Sequence, residues 1–133
     1  MSATPDRRRH RYRLRILVAD DSLMQQKHAA SLLQKHGHSV TVTNNGHEAV
    51  QALEQQEFDV VLMDVEMPVM NGLEAVSVIR ERERSVGRRI PVVAVTSVPD
   101  RGQFLAAGID GWLGKPLKVE AFNRTMQNLG IQP

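Results

Sequence analysis

The 133-residue sequence contains no cysteine, which excludes a disulfide framework, a thiolate metal site and a cysteine nucleophile. No apolar run approaches the roughly 20 residues that a bilayer-spanning helix needs, so no transmembrane segment is expected. Aromatic residues make up only 4% of the chain, and Tyr12 alone is not a stacking platform for nucleic-acid bases. The arginine-rich start lacks the apolar stretch of a signal peptide. There is no internal repeat, and no low-complexity segment beyond that start. What remains is an ordinary balance of 41% hydrophobic and 24% charged residues, the composition of one soluble domain with a real core. Cytoplasm is the expected compartment.

The net charge of +2 conceals an uneven distribution. Residues 1–15 hold Arg7, Arg8, Arg9, Arg11, Arg13 and Arg15 against Asp6 alone, giving +5 and leaving −3 for the remainder. Clustered arginines can neutralise phosphates, but a short arm without a folded reader carries little sequence specificity. A solvated arm or linker over residues 1–13 is the expected reading, with neither nucleic acid nor membrane as partner. The folded domain is expected over residues 14–129, and residues 130–133 as a tail.

Apolar, β-branched runs occur at Leu14–Ala19, Val40–Thr43, Phe58–Met63 and Ile90–Thr96, with a weaker one at Trp112–Leu113. Helix-length segments separate them, a pattern that implies βαβ units and a parallel sheet. Helix starts are marked at Ser22…Gln25, Asn45…Glu48, Asn71…Glu74 and Asp100…Gln103, each pairing a capping residue with Glu or Gln three positions on. Gly37, Gly87, Gly108 and Gly130 fall where helices close. A fifth helix is expected over Lys118–Asn128, with Val119, Phe122, Met126 and Leu129 at helical spacing. The predicted fold is α/β, a doubly wound (βα)5 sheet. The charged run Arg80-Glu81-Arg82-Glu83-Arg84 reads as a solvated helix face. His28, His36, His38 and His47 read as scattered surface residues without metal-ligand spacing.

Ligands of open parallel sheets bind at the carboxyl ends of the strands, and polar residues gather there in this sequence. The first strand ends in Asp20-Asp21, the third in Asp64, the fourth in Thr96-Ser97, and the fifth leads into Lys115-Pro116. Three carboxylates in one pocket repel each other unless cations are supplied. Hard oxygen ligands with open positions suit Mg²⁺, and Lys115 adds a second positive charge. A carboxylate so placed can attack phosphorus and form an aspartyl phosphate. Asp64 is the expected nucleophile, Asp20 and Asp21 the expected metal ligands, and Thr96 a hydroxyl donor to a phosphoryl oxygen. Ser97 is small enough to leave the phosphoryl group room to enter.

At Leu17-Val18-Ala19-Asp20-Asp21-Ser22, Asn45-Gly46-His47-Glu48-Ala49, Met63 to Gly72, Val95-Thr96-Ser97 and Ala106 to Pro116 the sequence resembles the receiver domain of two-component response regulators. The resemblance implies a flavodoxin-like strand order of 2-1-3-4-5. It implies that Asp64 accepts a phosphoryl group from a histidine-kinase or phosphotransfer-domain phosphohistidine, with self-catalysed transfer and dephosphorylation rather than turnover of a separate substrate. Glu66 would give its backbone carbonyl to Mg²⁺. Thr96 would be the switch hydroxyl, Lys115 the phosphoryl-contacting lysine and Lys115–Pro116 a cis bond. The output partner is not legible.

Two features depart from the family pattern. Trp112 stands where tyrosine or phenylalanine is usual, and either follows the switch or simply packs as a half-buried aromatic. Thr96 and Lys115 lie about one helical turn closer in sequence than is usual, so the fourth helix is expected to be short or displaced, and the usual dimer through that face is not expected. No DNA-binding domain is expected after residue 133. The chain reads as a free-standing regulator or as a piece of a hybrid kinase, which the Val65 to Gly72 and Gly111 to Pro116 runs resemble more closely. A rival from another class is a Mg²⁺-dependent phosphatase of the haloacid-dehalogenase type. Its nucleophile opens an Asp-x-Asp motif, whereas this chain has Asp64-Val65-Glu66, and 133 residues leave little room for its cap.

Overall fold

The computed structural model describes residues 13–67 and 70–131. Five strands, β1 (Arg15–Ala19), β2 (Ser39–Thr43), β3 (Val60–Asp64), β4 (Val92–Val95) and β5 (Gly111–Leu113), alternate with five helices, α1 (Leu23–Lys35), α2 (Gly46–Gln55), α3 (Gly72–Val86), α4 (Arg101–Ala107) and α5 (Val119–Asn128). All strand pairs are parallel, in the order β2-β1-β3-β4-β5, as the resemblance implies. Of the arginine-rich arm only Arg13 onward is described. Residues 1–12, Pro68, Val69 and 132–133 lie outside the described residues.

The sheet is covered on both faces, which is why its central strands read as unbroken apolar runs. Alternate side chains go to opposite faces. Leu17, Ala19, Val61, Met63, Val92 and Ala94 pack with Ala49, Val50, Val76, Ile79 and Phe104 from α2, α3 and α4. Ile16, Val18, Val60, Leu62 and Val93 pack with Ala29, Leu33, Phe122 and Met126 from α1 and α5. Every residue of β3 is buried, and each large side chain buried there contributes about 1.5–3 kcal/mol. That burial anchors the strand carrying Asp64 at its tip.

All four predicted caps are present: Ser22, Asn45, Asn71 and Asp100 accept from the backbone N–H three residues on. The reciprocal box closes at Asn71 and Glu74, whereas Glu48 reaches back to Asn44 instead. The predicted glycines adopt left-handed φ, with Gly87 and Gly108 closing α3 and α4. The fourth helix has seven residues, short as the spacing predicts.

Two strands begin two residues later than their apolar runs. Asp59 is taken up by Arg15, whose backbone N–H donates to Oδ2 at 2.7 Å and whose guanidinium donates to Oδ1 at 3.1 Å, so β3 starts at Val60. Before β4, the Ile90 N–H donates to Glu83 Oε2 at 2.5 Å and Pro91 has no N–H to offer the ladder.

Two surface expectations are corrected. The run from Arg80 to Arg84 is not uniformly solvated: the Arg80 side chain is 12% exposed and Glu83 is similarly sheltered. Arg80 donates to the carbonyls of Gly108 (3.0 and 2.8 Å) and Ile90 (2.8 Å), to Glu83 (2.7 Å) and to Asp110 (2.8 Å). Val76, Ile79, Arg80 and Glu83 follow one helical stripe, and the last two lie where that stripe meets the loops before β4 and β5. Glu81, Arg82 and Arg84 are exposed, as expected. His38 is not a surface residue either. It is buried, its Nδ1 accepts from the Leu14 N–H at 3.1 Å, and its ring tilts against Phe122 at 5.6 Å. Burial, helped by the neighbouring His36, lowers its pKa.

Candidate functional site

Strand register assembles the site. Ala19 pairs with Met63, and Asp64 with Val95, which pairs with Leu113, so Asp20, Asp64, Val95 and Leu113 reach the same level. Thr96 and Lys115 follow just beyond it. The parallel sheet therefore brings together side chains far apart in sequence, as their strand-end positions predict.

Asp20 is 6% exposed and Asp64 3%, while Asp21 is exposed. One carboxylate oxygen from each lies within 4.8 Å of the others. Burial is the main cause that pushes the Asp20 carboxyl up, and the charges of Asp64 and Asp21 add to it; the Ser22 N–H, donating to Oδ1 at 2.9 Å, and Lys115 oppose it. Three carboxylates gathered beside the single ammonium of Lys115 leave the set net negative. Its span compares with the about 4 Å between opposite ligands of an ion bound at 2.0–2.1 Å, so the donors fit a small hard cation.

Asp64 Oδ1 accepts from the Glu66 N–H at 3.1 Å and lies 3.2 Å from Lys115 Nζ. The Glu66 side chain is exposed, and no hydrogen bond among the described residues uses its carbonyl. Lys115 leads into a cis bond to Pro116. The loop they form is tied to α1, where His28 Nε2 donates to the Leu117 carbonyl at 2.8 Å.

Thr96 is buried, but its hydroxyl is turned onto its own loop. Oγ1 accepts from the Val98 N–H at 3.1 Å and donates to the Val98 carbonyl at 3.3 Å. Ser97 is exposed. Trp112 is half-buried against α4, its ring 5.9 Å from Phe104 with the Arg101 guanidinium 6.0 Å above it.

Three supporting residues carry no role in the sequence analysis. A Cβ on Gly72 would sit 2.4 Å from the Asp64 carbonyl oxygen, and one on Gly46 2.6 Å from that of Met70, so both glycines allow helix starts to press on the loop after β3. Gln26 is buried beside Asp20. Its signal was a polar residue on the stripe that also carries Ala29 and Leu33.

Comparison with known proteins follows the same line. A family model described as the response regulator receiver domain matches residues 16–127. A hybrid signal transduction histidine kinase of Dictyostelium discoideum is 37% identical over 111 residues, covering 77% of this chain and 6% of that protein. The chain spans only 6% to 15% of the first curated relatives that it matches. Among solved structures, the receiver domain of a Pseudomonas aeruginosa sensor histidine kinase, with magnesium coordinated in its active-site cleft, has a TM-score of 0.77 and 34% identity, covering 89% of this chain and 98% of that one. The receiver domain of Saccharomyces cerevisiae Ssk1, crystallised with the histidine phosphotransfer protein Ypd1, has a TM-score of 0.80 and 27% identity, with 89% of each chain covered. Fold, strand order and family match agree: the chain belongs to the response regulator receiver domains, the signalling modules of two-component phosphorelays.

Proposed function

We propose that Asp64 is the phosphoacceptor and that the donor is a phosphohistidine of a histidine kinase or phosphotransfer domain. The observation that carries this reading is the position of the Asp64 carboxylate, buried at a strand tip between Lys115 Nζ at 3.2 Å and the carboxylates of Asp20 and Asp21. An Asp64 oxygen attacks phosphorus in line as the P–N bond breaks. The electron pair of that bond leaves on the imidazole, which takes up a proton from solvent. Lys115 neutralises charge on the transferred oxygens. Mg²⁺, held by Asp20, Asp21, Asp64 and the Glu66 carbonyl, supplies further charge neutralisation when bound. Water later cleaves the aspartyl phosphate, so the isolated domain catalyses both its own labelling from the phosphodonor and its own unlabelling.

The Thr96 hydroxyl exchanges the Val98 backbone for a phosphoryl oxygen, with the small Ser97 leaving the entrance open. The displacement reaches Trp112 and, through Phe104 and Arg101, helix α4. This biases a two-state equilibrium. The short α4 argues against the usual dimer through that face. Sedimentation of the beryllofluoride-loaded protein is expected to give no tight dimer with contacts in residues 100–107. The absence of cysteine fits the cytoplasm as the compartment.

The deciding experiment incubates the purified chain with phosphoramidate and Mg²⁺ and follows intact mass. One alkali-labile phosphoryl group per chain is expected, and none on Asp64→Asn. Labelling of that variant at the wild-type level overturns the assignment, and multiple turnover of a phosphate ester favours a phosphatase.

A further inference from the structure

We infer that Gln26 is a positioning residue for the acidic loop, a role that rests on the Mg²⁺-dependent reading of Asp20, Asp21 and Asp64. Gln26 is 7% exposed, on the face of α1 that packs against the sheet. Its Nε2 donates to the Asp20 carbonyl at 2.5 Å and to Asn44 Oδ1 at 2.8 Å. Asn44 is held in turn by Glu48, whose Oε1 accepts from the Asn44 N–H at 2.8 Å and from Nδ2 at 3.1 Å. Because Nδ2 is committed to the carboxylate, Asn44 presents its oxygen to Gln26. Both neighbours of Nε2 are thus acceptors, and only a side chain with two donor protons satisfies them.

A relay therefore runs from the first turn of α2 through Glu48, Asn44 and Gln26 to the Asp20 carbonyl. The other side of the same residue is also fixed, since the Asp20 N–H donates to the Thr43 carbonyl at 3.1 Å. Held at both its N–H and its C=O, Asp20 has a set backbone direction, and so has the peptide leading to Asp21. That direction aims the two carboxylates at Asp64. An apolar side chain would fill the same place in the α1 stripe without the cost of burying an amide. The amide is explained by what it holds. Partners behind metal ligands are worth about 10- to 100-fold in metal affinity.

Mn²⁺ is the probe for the site, with the free ion counted by electron paramagnetic resonance on the full chain. Gln26→Met is expected to weaken Mn²⁺ binding about tenfold. Asn44→Ala, at an exposed loop position, is expected to weaken it in the same direction and keeps the test valid if Gln26→Met does not fold. The double variant is expected to lose no more than Gln26→Met alone, because both break one relay. Phe122→Leu, on α5 and away from the loop, is expected to lower the melting temperature and leave Mn²⁺ affinity unchanged. Phosphoramidate labelling of Gln26→Met is expected to recover at high Mg²⁺, a loss of affinity rather than of maximal rate. Wild-type Mn²⁺ affinity in Gln26→Met, full additivity in the double variant, or an equal loss in Phe122→Leu overturns the inference alone. A wild-type chain that binds no Mn²⁺ overturns the parent reading as well.

Discussion

The ammonium of Lys115 lies 3.2 Å from the carboxylate of Asp64, joining the tip of β3 to the loop after β5 across the end of β4. The contact brings a cation from the far edge of the sheet to the buried acid at its centre. Lys115→Met is expected to slow phosphoryl acceptance about 10²- to 10³-fold, the usual cost of losing one group that stabilises developing charge. The same change is expected to tighten Mn²⁺ binding, because a competing cation has gone. Intact-mass labelling and Mn²⁺ titration measure the two effects, and parallel losses in both would refute the separation of roles.

Gly72 touches the backbone of Asp64 directly. Adding a methyl group there puts a carbon 2.4 Å from the Asp64 carbonyl oxygen and 2.7 Å from Val65 Cα, so α3 must retreat. Gly72→Ala is expected to cost about 1–3 kcal/mol, as overpacking does, and to slow labelling of the molecules that fold. Gly102→Ala has no such neighbour, its nearest atom being Asp100 at 3.9 Å, and is expected to be neutral or stabilising by up to about 1 kcal/mol. Urea denaturation of both variants decides the comparison.

Trp112 is the sole tryptophan, so its emission reports one site. Beryllofluoride with Mg²⁺ is expected to shift that emission if the ring follows Thr96. Arg101→Ala removes a contact worth about 0.5–1 kcal/mol and is expected to enlarge the shift by loosening the ring from α4. A spectrum indifferent to beryllofluoride would assign Trp112 a packing role only.

His38 ties stability to pH. Its folded pKa is lowered, chiefly by burial, below the unfolded value of about 6.5. The unfolded chain therefore takes up a proton that the folded ring resists, and stability is full above the unfolded pKa and falls as pH drops below it. His38→Asn offers the Leu14 N–H an acceptor that does not titrate. Its urea midpoint is expected to vary less with pH than that of the wild type between about pH 7 and pH 5, and equal slopes would remove His38 from the account.

Arg80 ties the end of α3 to both neighbouring loops. Arg80→Met removes the cation that Asp110 and Glu83 share and takes the Arg80 donors from the Gly108 and Ile90 carbonyls. Asp110 keeps Arg89 at 2.6 Å, so the expected cost is about 1–3 kcal/mol, that of unsatisfied sheltered polar groups. Arg80→Lys should recover little, because one ammonium cannot reproduce five donors in a planar fork. The network lies at the opposite end of the sheet from Asp64, so labelling per folded molecule should stay near wild type. Chemical denaturation and mass labelling test the two halves of this expectation.

What was legible in the sequence obeys local rules. Ser22, Asn45, Asn71 and Asp100 cap helices because a short polar side chain meets the free N–H three residues on. The runs at Val60 to Met63 and Val92 to Val95 are strands buried on both faces, and need little from elsewhere to be recognised. Even the convergence of Asp20, Asp64, Thr96 and Lys115 was legible, since parallel strands all present their carboxyl ends on one side.

Contacts between distant segments were not legible. Arg80 sits in a run of alternating charge and looks solvated until Gly108, Ile90 and Asp110 are folded against it. His38 reads as polar surface until Leu14 and Phe122 close over it. Gln26 reads as one more glutamine on a helix until Asn44 and Asp20 meet it from two other loops. The sequence by itself determined the strand and helix order, the capping and the set of groups delivered to the strand ends, because those follow from periodicity and neighbours within a few residues. Only the tertiary structure decided that Thr96 turns onto Val98, that Trp112 lies between α4 side chains, and that Gln26 holds the Asp20 backbone. Each of those choices is a competition among partners that exists only after the sheet has brought them together.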